Sequence, residues 1–273
     1  MPASSTDHES PTTGIANAAN AARLRMAGVH KAFGTTKVLQ GVTLEVKPGT
    51  TTVVLGPSGS GKSVLLRLIV GLLPIDDGEI WFDDTRVDSL SERDIDPIRS
   101  QIGFLFQLSA LFDSMTVHEN LAFPLTEHAK LARPAIRERV NEALELVDMA
   151  GSQGKYPAQL SGGQQRRIAL ARAIMMRPRM VLYDEPTTGL DPVRARGINL
   201  LINKLKRELS VTGIVVTHDL TSAEMVADQV VLLLDGRVRI AGTLAEVRAS
   251  RDPEVRGFLT GRGADEIKQG DGS

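Results

Sequence analysis

The chain has 273 residues, of which 42% are hydrophobic and 24% charged, the balance of a globular protein. Its net charge of −1 gives no strong attraction to nucleic acid or anionic lipid, and the lack of cysteine excludes disulfides and thiolate metal sites. No apolar run reaches the roughly 20 residues that span a bilayer, and the N-terminus lacks a secretory pattern, so we expect a cytoplasmic protein.

The first predicted elements are two strands followed by a third. Residues 1–22 are polar and predict a disordered leader. Val29–Phe33 and Val38–Val46 have the composition of strands joined by a turn at Gly34. The β-branched run Thr51–Leu55 predicts a further strand, and apolar residues at helical spacing come shortly after it.

The middle of the chain is predicted to be mainly helical. A turn at Asp76–Gly78 should precede a strand at Ile80–Phe82, and Ile102–Phe106 should form another strand. Residues from about 108 to 178 read as helical, with an amphipathic helix beginning near Pro134. We expect this stretch to be an α-helical lobe inserted into an α/β core.

The core is predicted to resume after the helical lobe. Strands are expected at Met180–Tyr183 and Ile214–Thr217, with a long helix between them. Asp235–Gly236 is typical of a hairpin turn. Thr243 and Glu246 have the spacing of a capping box and predict one more helix.

These elements predict one large domain with an insertion. Its expected bounds are 23–260, with the helical lobe at about 108–178. Residues 1–22 would precede it as the leader, and residues 261–273 would follow as a polar tail.

A glycine-rich loop lies between the strand at 51–55 and the following helix. It comprises Gly56, Pro57, Ser58, Gly59, Ser60, Gly61, Lys62 and Ser63. Glycines let the backbone N–H groups curve around phosphates at the positive end of a helix. Lys62 should reach the β- and γ-phosphates, and Ser63 should bind Mg²⁺. A chance glycine turn is disfavoured because a strand precedes the loop and a helix follows it.

Two acids and a histidine are predicted at the ends of neighbouring strands. Asp184 ends a strongly apolar strand, at the sheet edge where ligands bind in open α/β folds, and suits Mg²⁺. Glu185 is placed to orient an attacking water. His218 follows another strand and is placed to donate to the γ-phosphate. Solvated acids and a structural histidine are the alternatives.

Gln107 and Phe33 carry weaker signals. Gln107 follows the strand at 102–106 and is a candidate to touch Mg²⁺ or water, but a glutamine there means little by itself. Phe33 is a candidate to stack on adenine, and an ordinary core aromatic is an equal alternative.

A second glycine loop lies at Leu160–Gln164. Ser161 can cap the following helix, whose N-terminus attracts anions. A plain capped helix is the alternative. Because the first loop already holds one phosphate group, we expect Ser161, Gly162, Gly163 and Gln164 to contact the nucleotide of a second, head-to-tail copy. Dimerisation would then depend on ATP.

Taken in this order, the motifs resemble the ATPases of ATP-binding cassette (ABC) transporters over about Leu24–Gly242. The resemblance implies an α/β P-loop NTPase with a mixed sheet core, an N-terminal antiparallel β subdomain and an inserted α-helical subdomain. It implies ATP and Mg²⁺ as cofactors and ATP hydrolysis as the activity. Phe33 departs from the tyrosine commoner at its position.

The resemblance also implies a role for each motif residue. The roles are Phe33 as adenine-stacking aromatic, Gly56–Ser63 as Walker A loop with Lys62 as a catalytic group, Gln107 as Q-loop glutamine, Leu160–Gln164 as signature, Asp184 as Walker B acid, Glu185 as catalytic base, Asp191 in the D-loop, and His218 as switch histidine.

A closer resemblance, carried by Phe104–Gln107, Ala110–Ser114, Ala122–Leu125 and Asp252–Leu259, is to the ATPases of Mla/Mce-type lipid transporters. It implies an inner-membrane permease, an Mce-type substrate-binding protein and, in the Mla branch, a small STAS-domain protein as partners. The cargo would be phospholipid or a related hydrophobic molecule moved between inner and outer membranes. The chain would lie peripherally on the cytoplasmic face of the inner membrane.

An apolar cluster directly follows Gln107 and consists of Leu108, Ala110, Leu111 and Phe112. If exposed, it marks an interface for the permease. The equal alternative is that these side chains fill the core of the helical lobe.

Two other functions remain as alternatives. One is the ATPase of an importer for amino acids or small solutes. The other is a soluble ABC ATPase acting on DNA or ribosomes, which is disfavoured because the chain has one cassette, no sustained heptads and near-neutral charge. We therefore expect no nucleic-acid partner.

Overall fold

The computed structural model describes residues 23–129 and 131–261 of the chain. The predicted leader at 1–22, and the predicted tail beyond Gly261, lie outside the described residues. The strands are β1 Leu24–Phe33, β2 Thr36–Val46, β3 Thr51–Leu55, β4 Asp77–Phe82, β5 Thr85–Arg86, β6 Ile102–Leu105, β7 Met180–Asp184, β8 Thr212–Thr217, β9 Gln229–Leu234 and β10 Arg237–Gly242.

The helices are α1 Lys62–Ile69, α2 Glu92–Arg99, α3 Val117–His128, α4 Arg133–Leu146, α5 Gly162–Ala173, α6 Pro192–Leu209, α7 Leu220–Val226, α8 Leu244–Arg248 and α9 Pro253–Thr260. A short 3-10 turn spans Pro157–Gln159. In the described part of the chain, no helix is both long and apolar enough to cross a membrane.

A six-stranded sheet with the order β10-β9-β3-β8-β7-β6 forms the centre of the molecule. Strands β9, β3, β8, β7 and β6 run parallel, and β10 returns antiparallel to β9 through the predicted turn at Asp235–Gly236. Because parallel strands end at the same edge of a sheet, the segments that follow β3, β8, β7 and β6 lie side by side.

A second, four-stranded sheet with the order β2-β1-β4-β5 is antiparallel throughout. It is formed largely by the N-terminal part of the chain. The predicted fold class, a mixed sheet core with an N-terminal antiparallel sheet, is confirmed.

The central sheet has apolar side chains packed on both of its faces. In β3, Val53 and Leu55 join a core formed with the helices α3 to α7, whereas Val54 joins a core formed with α1 and the second sheet. In β7, Val181 and Leu182 divide between the two cores in the same way. Successive side chains of a strand point to opposite faces, so a fully apolar strand indicates a sheet that is covered on both sides.

The turn predicted at Asp76–Gly78 is wrong. Asp77 and Gly78 already belong to β4, which pairs with β1. Gly78 has a φ of +98°, and a Cβ built there would lie 2.5 Å from the carbonyl oxygen of Gly28. This glycine permits β1 and β4 to approach closely at a point where their register is irregular. In the sequence, such a glycine has the same local signature as a glycine in a turn.

The stretch predicted as helical contains three main helices, α3, α4 and α5, that pack against one another. The segment 106–116 before α3 and the segment 147–161 between α4 and α5 are mostly irregular. The short helices α2 and α7 were not predicted. Helix α2 buries one apolar side chain, Ile95, whereas the equally short α1 buries four, and α7 spans seven residues and buries two, Ala223 and Val226, so neither shows a clear apolar period. The bounds of the helical lobe and of the whole domain stay predictions.

The irregular segment before α3 is held by a buried asparagine. Asn120 is fully buried, and its side-chain oxygen accepts a hydrogen bond from the backbone N–H of Phe112 at 2.8 Å. Its amide nitrogen lies within 3.1 Å of the carbonyl oxygens of Phe112, Met115 and Thr116. One side chain therefore replaces the backbone pairing that this segment lacks.

We predict that Asn120→Ala lowers the free energy of unfolding by about 3 kcal/mol, because it empties a fully buried site and removes the side-chain partner of the Phe112 N–H and of the Met115 carbonyl. Urea unfolding followed by circular dichroism measures this change. The matched control is Asn141→Ala, which removes an exposed helical asparagine whose side-chain oxygen accepts a hydrogen bond from Gln153, and it should cost less than about 0.5 kcal/mol. Equal losses in the two variants would contradict the role of Asn120.

Candidate functional site

The glycine-rich loop joins the end of β3 to the start of α1, in the context that the sequence predicts. Gly61 has a φ of +100°, and a Cβ at this position would lie 2.7 Å from a methyl carbon of Leu39 in β2. Only glycine fits this backbone and this approach of the second sheet. The packing of Gly61 against β2 therefore fixes the position of the next residue, Lys62, which begins α1.

The ammonium group of Lys62 is enclosed by the loop and by one acid. It donates hydrogen bonds of 2.9 Å to the carbonyl oxygens of Gly56 and Pro57, and it lies 3.5 Å from a carboxylate oxygen of Glu185. The side chain is 6% exposed. A cation that is largely shielded from water is a strong partner for a phosphate oxygen.

Asp184 at the end of β7 faces Ser63 of α1. The Ser63 hydroxyl donates to the Asp184 carboxylate at 2.8 Å. Burial raises the pKa of Asp184, and the neighbouring charge of Glu185 raises it further, while the Ser63 hydrogen bond opposes both effects. The groups around Asp184 therefore only partly offset the cost of burying its carboxylate.

Glu185 adopts an unusual backbone conformation, with a φ of +47°. Its N–H donates to the carbonyl oxygen of Val216 in β8. Its carboxylate lies 3.1 Å from Nδ1 of His218 and accepts a 3.1 Å hydrogen bond from the Thr188 hydroxyl. A left-handed conformation in a buried, non-glycine residue costs free energy, and such strain is concentrated at functional sites.

The structure therefore brings together Lys62, Ser63, Asp184, Glu185 and His218. We refer to these five residues as the strand-edge cluster. They come from the start of α1 and from the ends of β7 and β8, and they supply a cation, a hydroxyl, two carboxylates and an imidazole. This set can bind phosphate oxygens and can position a water molecule for attack.

The strand-edge cluster and the loop have the chemistry that a nucleotide with Mg²⁺ requires. The hydroxyl of Ser60 is buried in the loop and has no hydrogen-bond partner among the described residues. Such an orphaned group, in the same loop that encloses the Lys62 ammonium, suits an anionic ligand. Ser63 and Asp184 present two hard oxygen donors close together, which are the ligands that Mg²⁺ prefers alongside phosphate oxygens.

Gln107 and Phe33 lie outside this cluster. Gln107 follows β6 and is exposed, and its side chain has no hydrogen-bond partner among the described residues, whereas its carbonyl accepts from Arg166. Phe33 ends β1 and is 46% exposed. Its hairpin reaches the glycine-rich loop through Val38, whose carbonyl lies near Gly61.

The second glycine loop caps α5. The Ser161 hydroxyl accepts from the N–H of Gln164, and the Gln164 side chain accepts from the N–H of Ser161. Among the described residues, no hydrogen bond connects this loop to the strand-edge cluster. Asp191 similarly caps α6, and the backbone N–H of Arg194 lowers its pKa most. Within one chain, therefore, Ser161, Gly162, Gly163, Gln164 and Asp191 remain separate from the first phosphate loop.

The sequence did not identify Arg166, which connects the segment after β6 to the loop after Glu185. Its side chain is 6% exposed and donates to the carbonyl oxygens of Phe106, Gln107 and Thr188. Burial lowers its pKa, and Asp184 opposes that effect. A cation that binds only carbonyls leaves no pattern of opposite charges in the sequence, so nothing local could have identified it.

A buried polar network behind the strand-edge cluster was also missed. Ser222 is fully buried in α7, donates to Asp219 at 2.6 Å and pairs with Thr187 at 3.1 Å. Asn199 in α6 donates to Ser222 at 3.0 Å. Because Thr187 and Asp219 are close in sequence to Glu185 and His218, this network fixes the two loops relative to each other.

Comparison with known proteins places these features in one family. The sequence profile of the family described as "ABC transporter" matches residues 39–188, just over half of the chain. The match contains the glycine-rich loop, Gln107, the second glycine loop and both acids.

Named relatives match most of the chain. The probable ribonucleotide transport ATP-binding protein mkl of Mycobacterium leprae is 39% identical over 239 residues, which is 88% of this chain and 69% of that protein. The intermembrane phospholipid transport system ATP-binding protein MlaF of Haemophilus influenzae is 41% identical over 224 residues, 82% of this chain and 85% of that protein. MlaF of Escherichia coli strain K12 is 39% identical over the same length.

Solved structures confirm the cassette fold. The dimeric structure of the ATP-binding cassette MJ0796, in a post-hydrolysis state with ADP and Pi, has a TM-score of 0.74 and 34% identity and covers 81% of this chain and 98% of its own. The structure of cbiO1 from Clostridium perfringens has a TM-score of 0.78 and 30% identity, covering 92% of this chain and all of its own.

We predict that Asp184→Asn raises the melting temperature at pH 7. Because the pKa of Asp184 is raised in the folded state, that state binds the proton more tightly than the unfolded chain does. This stabilisation is complete below the unfolded pKa and is lost as the pH rises through the folded pKa. The asparagine removes the buried charge and keeps an acceptor for Ser63.

Thermal denaturation between about pH 4 and pH 8 measures the effect, and the advantage of the variant should grow as the pH rises from the unfolded pKa to the raised folded pKa. Asp113→Asn, at an exposed position, is the matched control for the change of net charge. A variant that melts below the wild type across this range would contradict the prediction.

Proposed function

The chain belongs to the ABC transporter family, and from that premise we propose that it hydrolyses ATP as the nucleotide-binding subunit of a membrane transporter. The observation that carries the proposal is the strand-edge cluster, where Lys62, Ser63, Asp184, Glu185 and His218 meet beside the glycine-rich loop.

Each residue of the cluster has a distinct part in this reaction. ATP would supply the γ-phosphoryl group, and Mg²⁺ would neutralise the charge that develops on it. Lys62 exchanges carbonyl partners for phosphate oxygens, while Ser63 and Asp184 hold the metal. Glu185 orients the attacking water and accepts its proton, and His218, in contact with Glu185, donates a hydrogen bond to the phosphoryl oxygen.

Seven further residues would complete the site. Phe33 stacks on adenine, and Gln107 senses the metal or the water. Ser161, Gly162, Gly163, Gln164 and Asp191 act on the nucleotide of a second copy, because they lie apart from the first loop within one chain. MJ0796, the structural neighbour bound to ADP and Pi, is itself dimeric. Two identical chains would then enclose two nucleotides in a head-to-tail arrangement.

We predict that Glu185→Gln lowers turnover by about 10²- to 10⁴-fold and traps a dimer with bound ATP. Glutamine keeps the size of the side chain and one accepting oxygen but carries no charge and cannot accept a proton. Phosphate release measures turnover, and sedimentation in MgATP measures the dimer. Glu208→Gln, an exposed change on α6, is the control. Turnover near the wild-type rate would remove Glu185 from the role of base.

A groove beside Gln107 is a candidate seat for the permease. It has a volume of about 540 Å³ and apolar lining residues that include Phe104, Phe106, Phe112, Phe123 and Met176. The ring of Phe112 is 41% exposed and lies 5.0 Å from the Phe123 ring.

The apolar cluster that follows Gln107 divides into a buried part and an exposed part. Leu111 packs against the core of the helical lobe, whereas Leu108 is 89% exposed and Phe112 faces the groove. Of the two alternatives derived from sequence, packing in the core of the helical lobe fits Leu111, and exposure fits Leu108 and Phe112. The exposed part suits an apolar segment of a membrane partner.

We propose phospholipid, or a related hydrophobic molecule, as the cargo, moved between the inner and outer membranes. The identity to two MlaF proteins over most of their length supports this cargo. The mkl relative, named for ribonucleotide transport, supports a different one. An Mce-type substrate-binding protein and a STAS-domain protein would be further partners. The chain would lie peripherally on the cytoplasmic face of the inner membrane.

We predict that Phe112→Asp separates ATP hydrolysis from transport, because it places a charge in the apolar groove while leaving the strand-edge cluster unchanged. The measurement is co-purification from detergent-solubilised membranes, with lipid analysis of the captured complex. The wild-type chain should bring down a permease and phospholipid, and the variant should not, although it still binds ATP.

Leu209→Asp is the matched control, since Leu209 is 38% exposed at the far end of α6. If Phe112→Asp assembles and transports normally, the docking site is wrong. Capture of a periplasmic solute-binding protein with the wild type would favour the importer of small solutes, and bound ribonucleotide would favour the cargo named for mkl.

A further inference from the structure

Lys31 is a buried cation near the end of β1. It is 7% exposed, although it lies on a strand of the outer antiparallel sheet. A lysine is rarely so buried unless its charge has a defined partner. Neither the phosphate loop nor the strand-edge cluster involves this residue.

Asp76 holds Lys31 and the strand around it. One carboxylate oxygen of Asp76 lies 2.7 Å from the Lys31 ammonium, and the other accepts the backbone N–H of Ala32 at 2.6 Å. The backbone N–H of Asp76 donates to the carbonyl of His30 at 3.0 Å. Asp76 therefore fixes three consecutive residues of β1, the last of which directly precedes Phe33.

The Lys31 ammonium also lies 5.5 Å from the centre of the Phe33 ring, in the position of a cation–π contact. The register of β1 against β2 shifts between Lys31 and Ala32, so this contact forms at an irregular point of the strand. Phe33 remains 46% exposed, and a ring that meets a cation on one face can offer the other face to a ligand.

We propose that Lys31 is a positioning residue for the nucleobase: it holds the Phe33 ring from one face so that adenine stacks on the opposite face. The inference rests on the proposed role of Phe33 in ATP binding. A phenylalanine has no hydroxyl by which a hydrogen bond could fix its ring, so the fixed ammonium supplies the orientation. Asp76 in turn keeps the ammonium from moving into solvent.

The test compares a ligand that has a base with one that has none. Isothermal titration calorimetry of the full chain with ADP and with inorganic tripolyphosphate, both with Mg²⁺, gives the two dissociation constants. Lys31→Met keeps the aliphatic stem and removes the ammonium. It should raise the dissociation constant for ADP two- to fivefold and leave that for tripolyphosphate unchanged.

Two control variants separate this effect from general damage. Lys37→Met removes an exposed lysine on β2, opposite Ala32, and should change neither constant. Lys31→Arg should retain wild-type binding of ADP. In a Phe33→Leu background, Lys31→Met should have no further effect on ADP, because the ring through which it acts is gone.

The outcomes distinguish this inference from the function on which it rests. If Phe33→Leu weakens ADP selectively but Lys31→Met does not, or if Lys31→Met weakens both ligands alike, the role of Lys31 is overturned. If Phe33→Leu leaves the preference for ADP unchanged, the stacking role of Phe33 fails with it. A wild-type chain that binds neither ligand would overturn the proposed ATPase. Lys31→Gln, judged by the same criteria, replaces Lys31→Met if that variant does not fold.

Discussion

The buried contact between Lys62 and Glu185 is the interaction on which the site depends. The two charges lie 3.5 Å apart, with side chains only 6% and 10% exposed. Removing either partner would leave the other as an uncompensated charge in a poorly solvated position, which is costly. The contact therefore ties the glycine-rich loop after β3 to the loop after β7. His218 joins the same carboxylate from the end of β8.

The strained backbone of Glu185 is supported by the sheet around it. Strands β7 and β8 are fully buried, and their pairing extends to Asp184 opposite Val216. The N–H of Glu185 then continues this ladder by bonding to Val216. The rigid core on both faces of the sheet can hold one residue in a conformation that it would not adopt alone.

Arg166 connects this rigid site to the helical lobe. From α5 it binds carbonyls on the segment after β6 and on the loop after Glu185. The segment after β6 begins at Gln107 and reaches the groove at Phe112, where Asn120 fixes it. A movement of α5 relative to the sheet must change these bonds. Arg166 therefore links the segment that lines the groove to the loop that carries Thr188, three residues after Glu185.

The sequence alone determined the strand–loop–helix around Lys62, the apolar strands and the acids that end them, because these features depend on residues close together in the chain. It misjudged Gly78, where a close approach of β1 and β4 has the same local signature as a turn. Only the tertiary structure decided that Arg166, Lys31 and Asn120 matter. Arg166 and Lys31 bind groups from distant segments, and Asn120 binds an irregular segment four to eight residues before it. The cost of burying an unpartnered polar group, which fixes those contacts, exists only once the chain has folded.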